Sequence, residues 1–320
     1  MSDAKPVDTD VLDPDIRRFV TALNEGYGRY PNFDKLPMRE RRAVAEQVRA
    51  PWCVGGPRMW RSIDTPVAGL RGRIHIPFEA PALGAMLYLH GGGWMMFSID
   101  THDRLMREYA ARAGIIVVGI DYSLSPEARF PVALNEVVEA TRWLQRAGAT
   151  HGIDPKRLAV GGDSAGANLA LAAALKLREG GGPSLRGMLF NYGAFGPQPT
   201  LSYKLYDGPR YMLTVEEMCY FWNNYAREPA DLQNPLVAPA LADVQGLPAA
   251  YFCIAECDIL SDGNRAMAAR LTAAGVPTDE HVYEGATHSF LEAISISVLA
   301  DRALDTAARW LSGRLIEGQL

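Results

Sequence analysis

The sequence contains few cysteines and no apolar run long enough to cross a membrane. Four of its 320 residues are cysteine, and only Cys253 and Cys257 lie close together, with three residues between them. This spacing is typical neither of a zinc site nor of a redox pair, so we expect reduced, mostly buried thiols and no metal ion. The longest apolar runs fall far short of the ~20 residues of a membrane-spanning helix.

Basic residues are too few and too scattered to form a nucleic-acid-binding surface. The chain carries 32 lysines and arginines against 37 aspartates and glutamates, which gives a formal net charge of −5 at pH 7. We therefore expect no nucleic-acid partner. The first eight residues are polar and acidic, unlike a secretory signal peptide. The resulting expectation is a cytoplasmic protein that does not associate with a membrane.

Apolar runs and helical stretches alternate along most of the chain, which predicts an α/β domain. Strands are predicted at Arg71–Ile76, Ala85–Leu89, Ile115–Ile120, Arg157–Val160, Gly187–Asn191, Ala249–Ala255 and Glu280–Tyr283. Helices are predicted at His102–Ala113, Val132–Ala147, Ala165–Glu179, Gly263–Ala274 and Ile294–Leu311. Because strands that alternate with helices form βαβ units, we expect a mainly parallel sheet.

Two segments stand outside this alternation. Residues 1–50 are poor in strand signals, and residues 194–247 carry many aromatic residues and prolines. Within these segments, the spacing of apolar residues predicts helices at Pro14–Leu23, Pro37–Val48 and Thr214–Tyr225. Thr214 and Glu217 form a capping-box pattern at the start of the last of these. We expect an N-terminal helical cap segment at 1–50, and a catalytic domain at 51–320 that contains a cap insertion at about 194–247.

The stretch Gly162-Asp163-Ser164-Ala165-Gly166 has the Gly-x-Ser-x-Gly pattern of a nucleophilic serine. It follows a strand-like run and precedes a helical stretch, so Ser164 is expected in a sharp turn between the two. The outer glycines suit such a turn because they carry no side chain. The amide of Ala165 begins the helix, where N–H groups lack internal partners and favour negative charge. We predict Ser164 as nucleophile and the Ala165 amide as an oxyanion donor.

A glycine-rich loop, His90-Gly91-Gly92-Gly93-Trp94, follows another strand-like run. In serine hydrolases with this layout, the amides of such a loop complete the oxyanion hole. We therefore predict Gly92 and Gly93 as further oxyanion donors. His90 is expected to brace the loop rather than to transfer protons.

A serine nucleophile requires a general base, and six histidines are available, at positions 75, 90, 102, 151, 281 and 288. His75 and His281 lie within strand-like runs, and His102 and His151 lie near the starts of helical stretches, where exposure to solvent is expected. His288 follows the last predicted strand in a loop, from which it can approach the carboxyl ends of the strands. We predict His288 as the base.

The third member of the site is expected to be a carboxylate between the serine and the histidine in the chain. The strand-like run Ala249–Ala255 is followed by Glu256, Asp258 and Asp262. We predict that Asp258 orients the imidazole and stabilises its charged form. Asp262 is expected to cap the following helix, and Glu256 remains the alternative carboxylate.

These motifs, in this order, resemble those of the hormone-sensitive-lipase family of esterases, the bacterial type IV group, within the α/β-hydrolase fold. The segments concerned are His90–Gly93, Gly162–Gly166, Asp258 and Gly285–Phe290, together with Asp121–Glu127, which is similar to the family's Asp-Tyr-Arg-Leu-Ala-Pro-Glu stretch. The resemblance covers about residues 70–315. Two positions depart from the family: Ser123 replaces the usual arginine, and Ala167 replaces a common second glycine after the serine motif.

The resemblance implies an α/β-hydrolase fold with a mainly parallel eight-stranded sheet, flanking helices and a helical cap. It also implies a serine carboxylesterase that hydrolyses short-chain carboxylic esters through an acyl-enzyme on Ser164, without a cofactor. The expected partner is a small-molecule ester.

Aromatic residues and methionines near these motifs are candidates for an apolar substrate pocket. They are Trp94, Met95, Met96, Phe97, Tyr192, Phe195, Tyr211, Phe221 and Trp222. Plain packing in the core is the alternative role for each of them.

Two other functions are alternatives for a chain with these motifs. An amidase, peptidase or lactonase shares the catalytic groups, because contacts in the cap select the leaving group. A ligand-binding relative such as the plant gibberellin receptors lacks the catalytic histidine, whereas His288 is present here. The segment Glu280–Tyr283 is expected to be an edge strand, and an edge strand can pair with a second copy of the chain to form a homodimer.

Overall fold

Eight strands form one sheet in the computed structural model, which describes residues 11–182 and 184–316. The strands are β1 (Arg61–Val67), β2 (Leu70–Ile76), β3 (Leu83–Leu89), β4 (Ile116–Ile120), β5 (Ile153–Asp163), β6 (Leu185–Asn191), β7 (Ala250–Cys257) and β8 (Thr278–Thr287). Their order across the sheet is β1-β2-β4-β3-β5-β6-β7-β8. Strand β2 is antiparallel to both of its neighbours, and all other pairs are parallel. The predicted mainly parallel, eight-stranded sheet is confirmed.

Helices cover both faces of this sheet. They are α1 (Pro14–Gly28), α2 (Met38–Arg49), α3 (Asp103–Ala113), α4 (Val132–Ala147), α5 (Ala165–Glu179), α6 (Leu201–Leu205), α7 (Val215–Tyr225), α8 (Ser261–Ala273) and α9 (Val298–Leu315). Successive side chains of a strand point to opposite faces. On β3, Leu87 therefore packs in the core that includes α4 and α5, whereas Tyr88 packs in the core that includes α3 and α9.

Strand β1 is the strand of this sheet that the sequence did not predict. It carries Arg61, Asp64 and Pro66, and most of its residues are not buried, so it lacks the apolar pattern of a strand. It forms because a two-residue turn, Ala68 and Gly69, reverses the chain and pairs it with β2. Both turn residues have positive φ, which is the backbone geometry of tight hairpins.

The two segments predicted as a cap contact each other. Asn24 of α1 donates to the Pro209 carbonyl at 2.9 Å, and Arg41 of α2 donates to the Tyr220 hydroxyl of α7 at 3.2 Å. Residues 194–247, all of which the structure describes, contain no strand. The predicted capping box at Thr214 is confirmed. The boundaries at residues 50, 194 and 247 stay predictions.

Other sequence-based predictions have mixed outcomes. Asp262 does not cap α8, because it lies within the first turn, where its carboxylate accepts a hydrogen bond from the Ser202 amide at 2.9 Å. The four cysteines all lie within the described residues and form no disulfide bond there, and Cys219 on α7 is the exposed one. Across residues 11–182 and 184–316, no helix is both long and apolar enough to span a bilayer.

Candidate active site

Ser164 lies in a strained turn between β5 and α5. Its φ of 54° and ψ of −116° are unusual for a residue with a side chain, and such strain often marks a functional site. The turn passes so close to β3 that a Cβ on Gly162 or Gly166 would lie 2.2 or 1.9 Å from the Leu89 carbonyl oxygen. The two glycines are therefore required by contact with the backbone, and they hold Ser164 above the end of β3.

The structure brings Ser164, His288 and Asp258 together. His288 Nε2 lies 3.0 Å from Ser164 Oγ, and His288 Nδ1 lies 2.7 Å from Asp258 Oδ2. An ionised carboxylate only accepts hydrogen bonds, so Nδ1 carries the proton and Nε2 is free to accept from the serine hydroxyl. The other Asp258 oxygen accepts from the Leu260 amide at 2.9 Å, which fixes the carboxylate. This is the arrangement of a nucleophile, a base and an orienting carboxylate.

The fold explains why residues so far apart in the chain meet here. Ser164 follows β5, Asp258 follows β7 and His288 follows β8. These strands are parallel, so their carboxyl ends share one edge of the sheet. Glu256, the alternative carboxylate, accepts instead from the Gly285 amide at 3.0 Å and so supports the turn before His288.

The glycine-rich loop lies beside Ser164. Gly92 and Gly93 have φ of 107° and 60°, in the region that favours glycine. Within the described residues, neither of their amides donates a hydrogen bond to a protein acceptor. The amide of Ala165 is at the first position of α5, so it also lacks an intrahelical partner. All three predicted oxyanion donors are therefore N–H groups that are available to a ligand.

His90 is buried and supports this loop from the protein interior. Its Nδ1 lies 2.8 Å from the Gly91 carbonyl, and its ring stacks on Tyr122 at 4.3 Å. Tyr122 in turn donates to the His90 carbonyl at 2.8 Å. Burial, with a smaller effect of nearby His102, lowers the pKa of His90 to about 4, so its ring is neutral at pH 7. These contacts match the predicted bracing role.

Most candidate pocket residues are buried within the protein. Trp94 stacks on Tyr225 at 4.4 Å, and Met95 packs against Ala45 of α2. Tyr192 lies beside the triad, with its ring 5.0 Å from that of His288. Buried with these three are Met96, Phe195 and Trp222. Those that are only partly buried are Phe97, Tyr211 and Phe221.

Several residues that position the site were not predicted as functional. Arg42 of α2 donates to the Met95 carbonyl at 2.7 Å, and Arg49 of the same helix forms a buried ion pair with Glu292. Glu292 lies four residues after His288, so α2 contacts both the glycine-rich loop and the histidine loop. No local pattern in the sequence indicates such long-range contacts.

His102 and Asp163 were also missed. His102 was expected to be exposed, but it is buried and lies 3.4 Å from the Asp163 carboxylate. The prediction for His102 was wrong because α3 packs against the sheet and carries the start of the helix into the interior. In residues 11–182 and 184–316, no group of three or more His, Cys, Asp or Glu side chains is arranged to hold a metal ion.

Comparisons with known proteins identify the family of the chain. The family described as the alpha/beta hydrolase fold matches residues 86–292. The chain is 34% identical over 260 residues to an acetyl esterase of Salmonella choleraesuis, with 79% of each chain covered.

Solved structures are similar over nearly the whole chain. A hyperthermophilic esterase from Pyrobaculum calidifontis has a TM-score of 0.88 and 29% identity, with 95% of this chain and 99% of that chain covered. A thermostable esterase from Pseudomonas putida has a TM-score of 0.87 and 30% identity, with 96% and 99% covered.

Proposed function

Because the chain belongs to the hormone-sensitive-lipase-like esterase family of the α/β-hydrolase fold and is a carboxylic ester hydrolase, we propose that it acts through an acyl-enzyme on Ser164. The observation that carries this proposal is the continuous hydrogen-bonded series from Ser164 through His288 to Asp258, at 3.0 and 2.7 Å. Three groups in this arrangement supply a nucleophile, its base and the group that orients the base.

In the first half-reaction, Ser164 attacks the ester carbonyl. His288 Nε2 takes the hydroxyl proton while Oγ forms a bond to the carbonyl carbon, and the electron pair of the C=O bond moves to oxygen. The buried Asp258 carboxylate stabilises the imidazolium that results. The tetrahedral species then collapses, the bond to the leaving oxygen breaks, and His288 protonates the departing alcohol.

The oxyanion is held by the amides of Gly92, Gly93 and Ala165. These donors come from a braced loop and a helix start, so they need little rearrangement as charge develops. Preorganised donors of this kind contribute strongly in a site from which water is excluded, and loss of one typically lowers turnover by about 10²- to 10³-fold.

The second half-reaction repeats this chemistry with water. His288 removes a proton from water as the oxygen attacks the acyl carbon, and Ser164 leaves with the proton that His288 returns. The products are a carboxylic acid and the free enzyme, so no external electron donor or cofactor enters the balance.

We further propose that the acyl group is short. A relative that is 34% identical to the chain is named acetyl esterase. A Cβ on Gly93 would lie 2.3 Å from the Phe221 ring, so this ring of α7 lies directly against the glycine whose amide holds the oxyanion. Bulk beside the reacting carbonyl leaves little room for a long chain.

A covalent label tests the reaction. A p-nitrophenyl alkylphosphonate is expected to release one nitrophenolate per protein and to add its phosphonyl group to the peptide that contains Ser164, as found by mass spectrometry. Hydrolysis of p-nitrophenyl esters from acetyl to dodecanoyl, beside a matched anilide, then defines the bond and the chain length. A label on another peptide contradicts the assignment of Ser164, and faster turnover of the anilide favours an amidase.

Phe221→Ala is expected to widen the acyl preference. Removal of the ring opens space beside Gly93, so the ratio of kcat/KM for octanoyl to acetyl ester is expected to rise about tenfold, a typical effect of a few methylene contacts. Tyr220→Ala on the same helix is the control, because its hydroxyl contacts Arg41 away from the loop. An unchanged ratio in Phe221→Ala, or an equal rise in both variants, counts against this role.

The remaining properties stay predictions. Residues 1–50 and 194–247 are proposed as a cap over the carboxyl ends of the strands, a role that their mutual hydrogen bonds support. The position of β8 at the edge of the sheet supports a homodimer through this strand. The cytoplasmic location and the lack of a nucleic-acid partner rest on the sequence alone.

A further inference from the structure

A buried carboxylate, Asp163, lies between the serine turn and the glycine-rich loop. We propose that Asp163 and a protonated His102 form a buried ion pair that positions the oxyanion donors relative to Ser164. Both are positioning residues rather than catalytic ones. This inference rests on the proposed acyl-enzyme mechanism, which it extends to two residues outside the triad.

Asp163 is bonded to the loop directly. Its Oδ1 accepts from the Gly91 amide at 3.2 Å and from the Tyr88 hydroxyl at 2.8 Å. A Cβ on Gly91 would lie 2.2 Å from Oδ2, so the carboxylate lies directly against the Gly91 backbone. Asp163 immediately precedes Ser164. The carboxylate therefore links the backbone of the nucleophile to the residue before the two donor glycines.

The hydrogen bonds of His102 indicate that it is an imidazolium. The Thr101 hydroxyl donates to the Ser98 carbonyl at 2.8 Å, so it can only accept from His102 Nδ1 at 2.9 Å. Nδ1 therefore carries a proton. Nε2 faces Asp163 Oδ2 at 3.4 Å, and this carboxylate is ionised because the attraction of His102 outweighs burial and holds its pKa below the ordinary value. An ionised oxygen favours a proton on Nε2 as well, which makes the ring a cation.

The charges in this region agree with that state. Burial disfavours both ions, yet their mutual attraction holds the pKa of Asp163 below and that of His102 above the ordinary values. Neighbouring His90, with its ring 5.6 Å from that of His102, is neutral because burial lowers its pKa. The other groups that affect His102 include Glu292, which raises its pKa, and Arg49, which lowers it.

The functional consequence concerns the transition state. Oxyanion donors act on charge that develops during the reaction, so a shift of the loop affects turnover more than ground-state binding. A buried ion also tolerates the loss of its partner poorly. Removal of either charge is therefore expected to let the loop move away from Ser164 while leaving the substrate pocket in place.

The variants Asp163→Asn, His102→Leu and the double variant test the proposal. We expect each single change to lower kcat for p-nitrophenyl acetate by about 10- to 100-fold, somewhat less than loss of a donor, with KM changed less than about threefold. Affinity for an alkylboronic acid, whose tetrahedral adduct resembles the oxyanion, is expected to fall in parallel. The double variant is expected to lose no more than His102→Leu, because it leaves no buried carboxylate without a partner.

His75→Leu is the matched control. His75 is also buried, and its Nε2 also lies 3.4 Å from an aspartate, Asp103, but it is on β2, where it pairs with Val117 near the start of β4. We expect kcat and boronate affinity of this variant to stay within about twofold of the wild type. Nitrogen-15 NMR of the wild-type protein at pH 7 measures the protonation state of His102. This measurement does not depend on activity or on the folding of a variant.

The outcomes separate the two proposals. The inference is overturned by a neutral His102 in the spectrum, or by folded single variants with unchanged kcat and boronate affinity. Equal losses in His75→Leu also overturn it, since any buried histidine would then have the same effect. The acyl-enzyme proposal fails separately, if the phosphonate does not label Ser164, whatever the charge of His102.

Discussion

Ser164→Ala is expected to lower kcat for p-nitrophenyl acetate by about 10⁴-fold or more, the range found when a nucleophile of this kind is removed. Alanine keeps the turn but supplies no oxygen to form the acyl-enzyme. His288 and the loop amides remain, so KM is expected to change little. Residual turnover then reports only attack by water in the presence of the oxyanion donors.

Ser297→Ala is the control for this experiment. Ser297 is buried, and its hydroxyl accepts from the Ala300 amide at the start of α9. Its replacement is expected to reduce stability by about 1 kcal/mol through loss of the helix cap, without reducing kcat. If Ser164→Ala retains turnover within tenfold of the wild type, Ser164 is not the nucleophile.

Gly166→Ala is expected to have the largest effect on stability. Gly166 is at the second position of α5, where alanine would otherwise be favoured over glycine by about 1 kcal/mol. A Cβ there would lie 1.9 Å from the Leu89 carbonyl oxygen and 2.7 Å from that of His90. Both atoms are backbone at the end of β3, which is paired with strands on both sides. We therefore expect the free energy of unfolding to fall by more than about 4 kcal/mol.

Gly263→Ala provides the matched comparison. Gly263 is also in the first turn of a helix, α8, and a Cβ there would meet no atom within 4 Å. This variant is expected to be as stable as the wild type or up to about 1 kcal/mol more stable. Denaturant unfolding of both variants measures the difference, and failure of Gly166→Ala to accumulate as soluble protein supports the same conclusion. Equal stability of the two variants would show that the end of β3 can move away from the added methyl group.

The order of motifs in the chain was sufficient to predict the triad constellation and the fold class. The strand before Ser164 and the helix after it are local features. They can be predicted from the spacing of apolar side chains and the positions of glycines in the sequence. Parallel strands place their carboxyl ends at one edge, so Asp258 and His288 followed from their positions after the last two strands. The prediction needed no distance between residues, only their order.

Local pattern failed where distant contacts decide the outcome. β1 has a polar, proline-containing sequence and is a strand because β2 offers it backbone partners. His102 begins a helix, a place that suggests exposure, yet packing of α3 on the sheet buries it beside Asp163. Asp262 lies where a helix cap is common, but its carboxylate accepts a hydrogen bond from the Ser202 amide of α6 instead.

The sequence by itself therefore determined most of the elements, their order and the residues predicted to carry the chemistry. The tertiary structure decided which polar groups support them: Asp163 under the glycine-rich loop, Arg42 on the Met95 carbonyl and Arg49 on Glu292. The physical reason is the range of the interactions. Periodicity and turn preference act within about ten residues, whereas a buried charge is stable only beside a partner that the whole fold brings to it.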